Sequence, residues 1–302
     1  MFEGLEKITT NDGSISLRSN HFGENFHSLL GANQEAEMKF INPSQLARFQ
    51  NKSIKVLDIC FGLGYNSSLL FNQIIKQSSL IIWYGLELDK RPLEFALKNK
   101  LFDKSFDSKI LKIFNSLLIN SYFKDQSFNC KMIWGDARLK IKEIPKSTKF
   151  DLIFLDGFSP QKCPEIWTSE FLQELTSKLQ NEGYLITYSS AAAVRKTIQD
   201  IGLNIYNIKP HKSSRNNWSD GTVAIRNKQT KILDTNNYIT ELSKMEKEHL
   251  QTKAAIPYRD PHGNDNSLSI IKRRNQEQLL SNLRDTNIWR KKWFMTKAAS
   301  TS

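Results

Sequence analysis

An apolar run that ends in a carboxylate and a turn lies at 150–167, in the sequence FDLIFLDGFSPQKCPEIW. The run Leu152–Leu155 stops at Asp156, and the Gly-Phe-Ser-Pro that follows cannot continue a regular strand. Such a run is typical of a buried parallel strand, and ligands in an open α/β sheet bind just past the carboxyl ends of these strands. Asp156 is therefore a candidate functional group, although Asp and Gly after a strand are also common turn residues.

Strand and helix patterns alternate through the middle of the chain. This alternation predicts βαβ units, and hence an α/β fold with a mostly parallel sheet covered by helices on both faces. The last two strands have no helix between them, which predicts an antiparallel hairpin at one edge. The seven predicted strands are 55–59, 80–88, 131–134, 150–155, 184–188, 203–208 and 222–226, and the predicted helices are 67–76, 92–100, 138–144, 167–179 and 191–201.

Two flanks surround this core, so we expect three parts. Residues 1–50 form an N-terminal extension that contains the hairpin signal Asp12-Gly13 and a pocket-closing segment. Residues 51–226 form the central domain. Residues 227–302 form a basic C-terminal extension with helical patterns near 238–250 and 268–283.

The chain is strongly basic, with a formal net charge of +12. Residues 227–302 hold 14 Lys and Arg against 8 Asp and Glu, so the charge is concentrated there. A basic surface attracts polyanions such as RNA, although general basicity without a nucleic-acid partner explains the same numbers. Three widely spaced cysteines form no metal-binding pattern, and the N-terminus lacks signal-peptide features, which together predict a cytoplasmic protein without a metal or a membrane anchor.

A glycine loop lies between the first predicted strand and its helix, in the sequence VLDICFGLGYN. Gly62 and Gly64 allow the backbone to approach a ligand closely, and the helix after them presents its positive dipole end. This arrangement predicts a nucleotide-like cofactor bound by Asp58, Phe61, the two glycines and Asn66. A plain strand-to-helix turn is the alternative.

Acidic residues end the next two strands. Glu87 and Asp89 lie about 20 residues beyond the glycine loop, where an acid accepts hydrogen bonds from ribose hydroxyls; the spacing favours Glu87. Gly135, Asp136 and Ala137 follow the third strand, where a carboxylate can accept from an adenine amine and the Ala137 N–H can donate to a ring nitrogen. Asp136 is equally suited to cap the helix that starts at Ala137.

These features together favour S-adenosyl-L-methionine over a dinucleotide. A dinucleotide fold usually has Gly or Ala three residues after the second glycine, where this chain has Ser67. That fold also uses its glycine-rich turn for a pyrophosphate, which S-adenosyl-L-methionine lacks.

The residues resemble a class I, Rossmann-like methyltransferase. More narrowly, FGLGYN at 61–66, DGFSP at 156–160 and PEIW at 164–167 resemble the methyltransferase domain of the bacterial tRNA 5-methylaminomethyl-2-thiouridine biosynthesis proteins (MnmC-like). The resemblance covers about residues 10–210, and Cys163 stands where that family usually has Asn. It implies a stand-alone enzyme that methylates the primary amine of 5-aminomethyl-(2-thio)uridine at the tRNA wobble position.

The resemblance also implies roles for the residues near Asp156. This carboxylate would touch the cofactor and act in catalysis, by binding the amine and accepting or relaying its proton. Phe158 would assist it by stacking on the base, as Trp167 would, unless Trp167 is core packing. The other expected substrate contacts are Pro160, Tyr188, Arg195 and Lys196. By position, Ser189 is expected to line the pocket and Glu24, His27 and Ser28 to close it, although a single histidine such as His27 more often has a structural role.

Two basic clusters in the C-terminal extension are candidates for contact with an anticodon stem-loop. They are Lys272–Arg274 and Arg290–Lys292, with Trp289 and Trp293 beside the second. A solvated helix face is the alternative for both clusters. Two other functions stay open for the whole chain: aminopropyl transfer as in spermidine synthase, and non-catalytic RNA binding on a methyltransferase fold.

Overall fold

The computed structural model describes residues 4–101, 107–210, 218–227 and 236–295. The chain divides into two compact units. The first comprises Met1–Phe158 and Lys178–Tyr188, and the second comprises Ser159–Ser177 and Ser189–Ser302. The domain boundaries at residues 50 and 226 stay a prediction.

Six strands form the main sheet of the first unit, in the order β9-β8-β4-β5-β7-β6. All neighbours pair in parallel except β6 and β7, which are antiparallel. The central strands β4 and β8 are apolar and buried along most of their length, as expected for strands covered on both faces. The strands are β4 (Ser53–Ile59), β5 (Leu80–Glu87), β6 (Tyr122–Lys124), β7 (Phe128–Trp134), β8 (Phe150–Leu155) and β9 (Leu179–Thr187).

Helices of the first unit follow the strands, with apolar side chains at helical spacing on their buried faces. In α4, Ile110, Ile113, Phe114 and Leu117 are buried, and Asp107 caps the helix by accepting from the Lys109 N–H. The helices are α1 (Ala32–Ala36), α2 (Tyr65–Lys76), α3 (Arg91–Lys98), α4 (Ser108–Asn120) and α5 (Ala137–Lys140), with a π-helical turn at Glu37–Ile41 and 3-10 turns at Asn42–Ser44, Leu46–Phe49 and Ile141–Glu143.

The N-terminal flank folds as a small antiparallel sheet in the first unit. Its strands are β1 (Leu5–Thr9), β2 (Ile15–Ser19) and β3 (Glu24–Asn25), paired in that order. The turn between β1 and β2 contains Gly13 at φ 78°, a left-handed conformation that glycine adopts without strain. The hairpin predicted from Asp12-Gly13 is therefore confirmed.

The second unit contains three antiparallel strands and five helices among the residues described. The strands β10 (Asn204–Ile208), β11 (Gly221–Ile225) and β12 (Ile239–Thr240) pair in the order β12-β10-β11. The helices are α6 (Ser169–Ser177), α7 (Ala192–Asp200), α8 (Lys244–His249), α9 (Ser267–Leu280) and α10 (Thr286–Arg290), with 3-10 turns at Pro164–Trp167 and Lys253–Ala255 and a π-helical turn at Lys291–Met295.

The α/β, Rossmann-like fold predicted from the sequence is confirmed, including the antiparallel pair β10 and β11. All seven predicted strands form, and three short ones were missed: β3, β6 and β12. Each of the missed strands has only two or three residues, too few to produce a readable alternation of apolar and polar side chains.

Candidate active site

Asp156 lies directly after β8 and is joined to the glycine loop. Its N–H donates to the Ile59 carbonyl at the end of β4 (3.1 Å). Its carboxylate accepts a hydrogen bond from the Asn66 amide in the first turn of α2 (2.7 Å). The glycine loop and the turn at Asp156, joined here between residues that are 90 positions apart in the sequence, therefore meet at one edge of the sheet.

The electrostatic environment of Asp156 favours its neutral form. Burial raises the pKa of Asp156 to about 8, and the negative charges of Glu35 and Asp58 add to this effect. The Asn66 hydrogen bond and the charge of Lys39 lower the pKa but do not offset the burial. A cation bound beside this carboxylate would favour its ionised form, so the site is suited to a positively charged ligand.

Both glycines of the glycine loop have left-handed backbone conformations. Gly62 and Gly64 have φ values of 58° and 92°, and a Cβ on Gly64 would come within 2.7 Å of the Phe61 ring. Cys60 also has a positive φ, 66°, which costs a non-glycine residue energy and is found most often at functional sites. The loop is thus a strained, closely packed turn that leaves no room for a side chain at Gly64.

Asp58 is an unusual buried acid beneath this loop. It is 1% exposed, and the Ser67 hydroxyl donates to one of its oxygens at 2.6 Å. The other oxygen is buried without a hydrogen-bond partner. Burial raises the pKa of Asp58 to about 7. A buried acceptor without a partner is costly, so a hydrogen-bond donor from a bound ligand or from water would stabilise this oxygen.

Glu87 ends β5 and faces the glycine loop. The Gly62 N–H donates to one of its oxygens (2.8 Å) and the Asp89 N–H to the other (2.9 Å). The carboxylate of Asp89 instead pairs with Arg91 at 2.6 Å, close to the start of α3. Glu87 therefore adjoins the glycine loop, whereas Asp89 is paired with Arg91, and the role of Glu87 as the ribose acceptor stays a prediction.

Asp136 caps α5 by accepting from the Arg138 N–H at 2.9 Å. Its carboxylate also pairs with the Arg138 guanidinium at 2.7 Å. Gly135 before it has φ 126°, and Ala137 after it is buried. The capping role suggested by the sequence is therefore realised, and the contact of Asp136 and Ala137 with adenine stays a prediction.

An aromatic cluster from the N-terminal flank surrounds Phe158. The Phe22 ring stacks on the Phe158 ring with 4.4 Å between centroids, and the Phe26 ring meets its edge at 5.0 Å. A Cβ on Gly62 would lie 3.4 Å from the Phe26 ring, so Phe26 adjoins both the glycine loop and Phe158. The sequence pointed to Phe158 but not to its two partners.

The other pocket-closing candidates have mostly structural contacts. His27 shares a hydrogen bond with the Ser16 hydroxyl (2.8 Å), and burial lowers its pKa to about 4, so it is neutral at pH 7. The Ser28 N–H donates to Glu35 at 2.7 Å. Tyr188, after β9, donates its hydroxyl hydrogen to the Gly157 carbonyl at 2.9 Å, which holds the turn after Asp156. The charge of Glu24 contributes to raising the pKa of Tyr188, after burial and the charge of Asp156.

The remaining expected substrate contacts belong to the second unit. Pro160 and Trp167 are buried, which favours core packing over base stacking for Trp167. Ser189 is buried, and its carbonyl accepts from the Thr222 hydroxyl at 2.7 Å. Lys196 pairs with Asp200 one helical turn away.

Arg195 is part of a buried polar network in the second unit. It is 1% exposed and pairs with Glu246 at 3.0 Å. The guanidinium also donates to the Thr222 hydroxyl (2.8 Å), the Ser219 hydroxyl (2.7 Å) and the Gly221 carbonyl (2.9 Å). These four hydrogen bonds lie within a buried network, so the structure favours a structural role for Arg195 over the expected substrate contact.

The two basic clusters differ in how many of their side chains are free to bind a polyanion. In the first, Arg273 pairs with Asp265 (2.6 Å), and Arg274 lies over the Tyr258 ring at 4.4 Å. Only Lys272 of that cluster is exposed. The structure therefore favours a structural role for the two arginines.

In the second cluster, Lys292 pairs with Glu248 at 2.7 Å. Trp293 donates its indole N–H to the same carboxylate, and Trp289 is buried. Arg290 and Lys291 are exposed and remain candidates for phosphate contact.

The expected S-adenosyl-L-methionine fits the residues present. The unpartnered oxygen of Asp58 suits an ammonium donor, and the backbone at Gly62 and Gly64 allows close approach. Glu87 offers an acceptor at the strand end where ribose hydroxyls are expected. Among the ranges described there is no group of three or more His, Cys, Asp or Glu side chains that could hold a metal.

Comparison with known folds and families agrees with this arrangement. A family of S-adenosyl-L-methionine-dependent methyltransferases matches residues 103–219. The crystal structure of MnmC2 from Aquifex aeolicus is similar with a TM-score of 0.76 at 26% identity, covering 92% of this chain and 86% of that chain. A spermidine synthase bound to the transition-state analogue AdoDATO is similar in fold alone, with a TM-score of 0.52 at 15% identity.

Curated relatives match over different shares of their length. An uncharacterized protein of Methanocaldococcus jannaschii is 29% identical over 84% of this chain and 67% of its own length. The tRNA 5-methylaminomethyl-2-thiouridine biosynthesis bifunctional protein MnmC of Campylobacter hominis is 28% identical over 60% of this chain, but the match covers only 28% of that protein. In the described part of this chain no helix has the length and hydropathy needed to cross a membrane.

Proposed function

The chain carries an MnmC2-like, S-adenosyl-L-methionine-dependent methyltransferase domain, and from this premise we propose the acceptor. It is the aminomethyl group of 5-aminomethyl-(2-thio)uridine at the tRNA wobble position, and the product is 5-methylaminomethyl-(2-thio)uridine. The names of the MnmC relatives support this substrate. The observation that carries the proposal is Asp156, a carboxylate held at the glycine loop by Asn66 and surrounded by further negative charge.

A primary alkyl amine needs a group like Asp156. With a pKa near that of lysine, about 10.4, the amine is protonated at pH 7 and its lone pair is blocked. The pKa of Asp156 is raised to about 8, so it lies much closer to the pKa of the amine than the pKa of an ordinary aspartate does. Asp156 would bind the ammonium form and take up its proton, which frees the lone pair of the amine. After passing that proton to solvent, the ionised carboxylate would stabilise the cationic product amine.

The bound S-adenosyl-L-methionine supplies an already activated methyl group, so positioning is the main task left to the protein. Asp58, Glu87 and the backbone of the glycine loop would hold it. Asn66 connects this loop to Asp156 by one hydrogen bond, and it would therefore fix the distance between the amine site and the cofactor site. Asp89, Asp136 and Ala137 stay candidates for weaker cofactor contacts.

Phe158 would stack on the uracil ring. Bases recognised in RNA loops are usually unstacked and placed on aromatic side chains. In this structure the Phe158 ring is covered by Phe22 at 4.4 Å, which leaves no space for a base between the two rings. Phe22 would therefore be displaced when the base binds, or the base would bind on the opposite face of Phe158.

The tRNA would be held by basic side chains such as Arg290 and Lys291, which are exposed. Lys196 is also a candidate. A tRNA substrate would place the protein in the cytoplasm, and the reduced thiols of Cys60, Cys130 and Cys163 suit that compartment.

A second candidate function is aminopropyl transfer to a polyamine. The negative charges of Glu24 and Glu35 near Tyr188 and Asp156 would attract such a substrate, and a spermidine synthase shares the fold. The net charge of +12 disfavours it.

One assay separates the two functions. The purified protein is incubated with labelled S-adenosyl-L-methionine and tRNA that carries 5-aminomethyluridine, and separately with decarboxylated cofactor and putrescine. We expect label in the modified tRNA and none in tRNA that lacks the aminomethyl group. Transfer to putrescine without transfer to tRNA would replace the proposal by the alternative.

A further inference from the structure

An ion pair on the N-terminal flank lies beside the turn that holds Asp156. The Lys39 ammonium contacts Glu35 at 2.6 Å, and both side chains are largely buried, with 21% and 15% exposed. The Ser28 N–H donates to the second oxygen of Glu35 at 2.7 Å, so this carboxylate is held in place from two sides. A largely buried pair fixed in this way is less screened by solvent than an exposed surface ion pair, so its charges act more strongly on their neighbours.

The pair reaches the site through Tyr188. The Lys39 ammonium lies 5.8 Å from the centre of the Tyr188 ring. The Tyr188 hydroxyl donates to the Gly157 carbonyl at 2.9 Å, directly after Asp156. The ion pair, the ring and the turn therefore form one contiguous set of contacts within the first unit.

The same two charges act on Asp156 with opposite sign. Glu35 raises the pKa of Asp156 and is the strongest effect after burial, whereas Lys39 lowers it more weakly. Asp58 from β4 raises it and Asn66 from α2 lowers it. Tyr188 and His27 are neutral in the relevant range, because the pKa of Tyr188 is raised well above its usual value and that of His27 is about 4.

We propose that Glu35 and Lys39 are positioning residues that act as a matched pair to set the charge of Asp156, and thereby the pH range in which the site binds and deprotonates an amine. Glu35 favours a proton on Asp156, as is needed after proton transfer from the substrate. Lys39 limits this effect so that the carboxylate can still ionise to bind the ammonium. The inference rests on the proposed function in taking Asp156 as the amine-binding group.

The test follows the titration of Asp156 directly, by carbon NMR of protein labelled at the aspartate carboxyls, without any tRNA. The resonance is assigned with Asp156→Asn. Glu35→Gln should lower the midpoint by about one pH unit, as is usual for a charge nearby, and Lys39→Met should raise it by a smaller amount. Since Glu35 acts more strongly than Lys39, the double variant should fall between Glu35→Gln and the wild type.

Two controls separate electrostatics from packing. Lys39→Arg keeps the charge and should leave the midpoint near that of the wild type. Lys109→Met removes a comparable pair with Asp125 (2.7 Å) in the same unit, and should not move the midpoint. Equal midpoints in all variants, or shifts of the same sign for Glu35→Gln and Lys39→Met, would overturn the inference.

Activity provides the second readout. With modified tRNA, the rising limb of kcat/KM against pH should shift in the order found by NMR. NMR shifts of the expected signs without methylation of any modified tRNA would sink the proposed function and leave the electrostatic coupling intact. Methylation of modified tRNA together with unshifted midpoints of Asp156 would support the proposed function and overturn the electrostatic coupling.

Discussion

Replacing Asp156 by Asn tests the role of the central carboxylate with little change in shape. In the wild type the Asn66 amide donates to the Asp156 carboxylate at 2.7 Å. The side-chain oxygen of an asparagine at this position can accept the same hydrogen bond, so the turn should be retained. What is lost is the ability to ionise and to accept a proton. The substrate amine must then lose its proton to water before it reacts.

The size of the effect follows from the two pKa values. At pH 7.4 only about one in a thousand amines with a pKa near 10.4 is neutral in water. The variant should therefore have kcat/KM lowered by about 10²- to 10³-fold, within the range usual for loss of a general base. Initial rates of methyl transfer to modified tRNA, measured from pH 6 to 10, check this value.

The pH profile is the more specific readout. The ionised carboxylate is the active form, and burial raises the pKa of Asp156 to about 8, so wild-type kcat/KM should rise with pH and level off above about 8. The variant should instead keep rising towards pH 10, because only the neutral amine reacts. Asp151→Asn, at the other end of β8, is the control and should follow the wild type. A variant within threefold of wild type at pH 7.4, or with an unchanged profile, would refute the reasoning.

Four further changes have expected outcomes. Gly64→Ala forces a Cβ to 2.7 Å from Phe61 at a φ of 92°, and should cost about 1–3 kcal/mol of stability and weaken cofactor binding in calorimetry; unchanged affinity would contradict the close approach. Phe22→Ala uncovers the Phe158 ring and should lower KM for tRNA by about tenfold with little change in kcat, and an unchanged KM would show that the base does not displace Phe22. Asp58→Asn should flatten the stability profile: the raised pKa of about 7 means that the wild type loses up to about 4 kcal/mol between pH 4 and 7, and an equal loss in the variant would be inconsistent with a buried neutral acid. Arg195→Met should cost about 3–5 kcal/mol in urea unfolding because Glu246 is left buried and unpaired, whereas a stable variant with weakened tRNA binding would restore the substrate role.

The features that could be predicted from the sequence are those with a recognisable pattern of neighbouring residues. The strand β8 and the glycine loop each show their character within a few residues, by an apolar run or by glycines between a strand and a helix. In a parallel sheet the ends of such strands meet at one edge, so the proximity of Asp156 to the loop followed from the fold class. The preference for Glu87 over Asp89 as the ribose acceptor came from spacing and stays a prediction; the structure places Glu87 at the glycine loop and pairs Asp89 with Arg91.

The contacts from the N-terminal flank could not be predicted in the same way. Phe22 and Phe158 are joined by tertiary folding alone, and an aromatic residue in a loop has no local pattern that names its partner. Glu35 and Lys39 have the spacing of an ordinary surface ion pair on a helix, so nothing in the sequence indicated that they act on Asp156.

Arg195 was expected to contact the substrate, but the structure places it in a buried network. A basic residue near a predicted pocket suggests substrate contact, and the sequence gives no hint that its partner Glu246 lies 51 residues further on. Buried charges are rare enough that exposure is the natural expectation. The same reasoning applies to Arg273 and Arg274, whose partners are set by the fold of the C-terminal segment.

The most direct test of the central claim is nucleoside mass spectrometry of tRNA carrying 5-aminomethyluridine after reaction with the purified protein and S-adenosyl-L-methionine. We predict that 5-aminomethyluridine is converted to 5-methylaminomethyluridine, and that Asp156→Asn largely prevents the conversion at pH 7.4. Methylation at another nucleoside, or an unmodified aminomethyl group after prolonged reaction with cofactor-bound protein, would contradict the account.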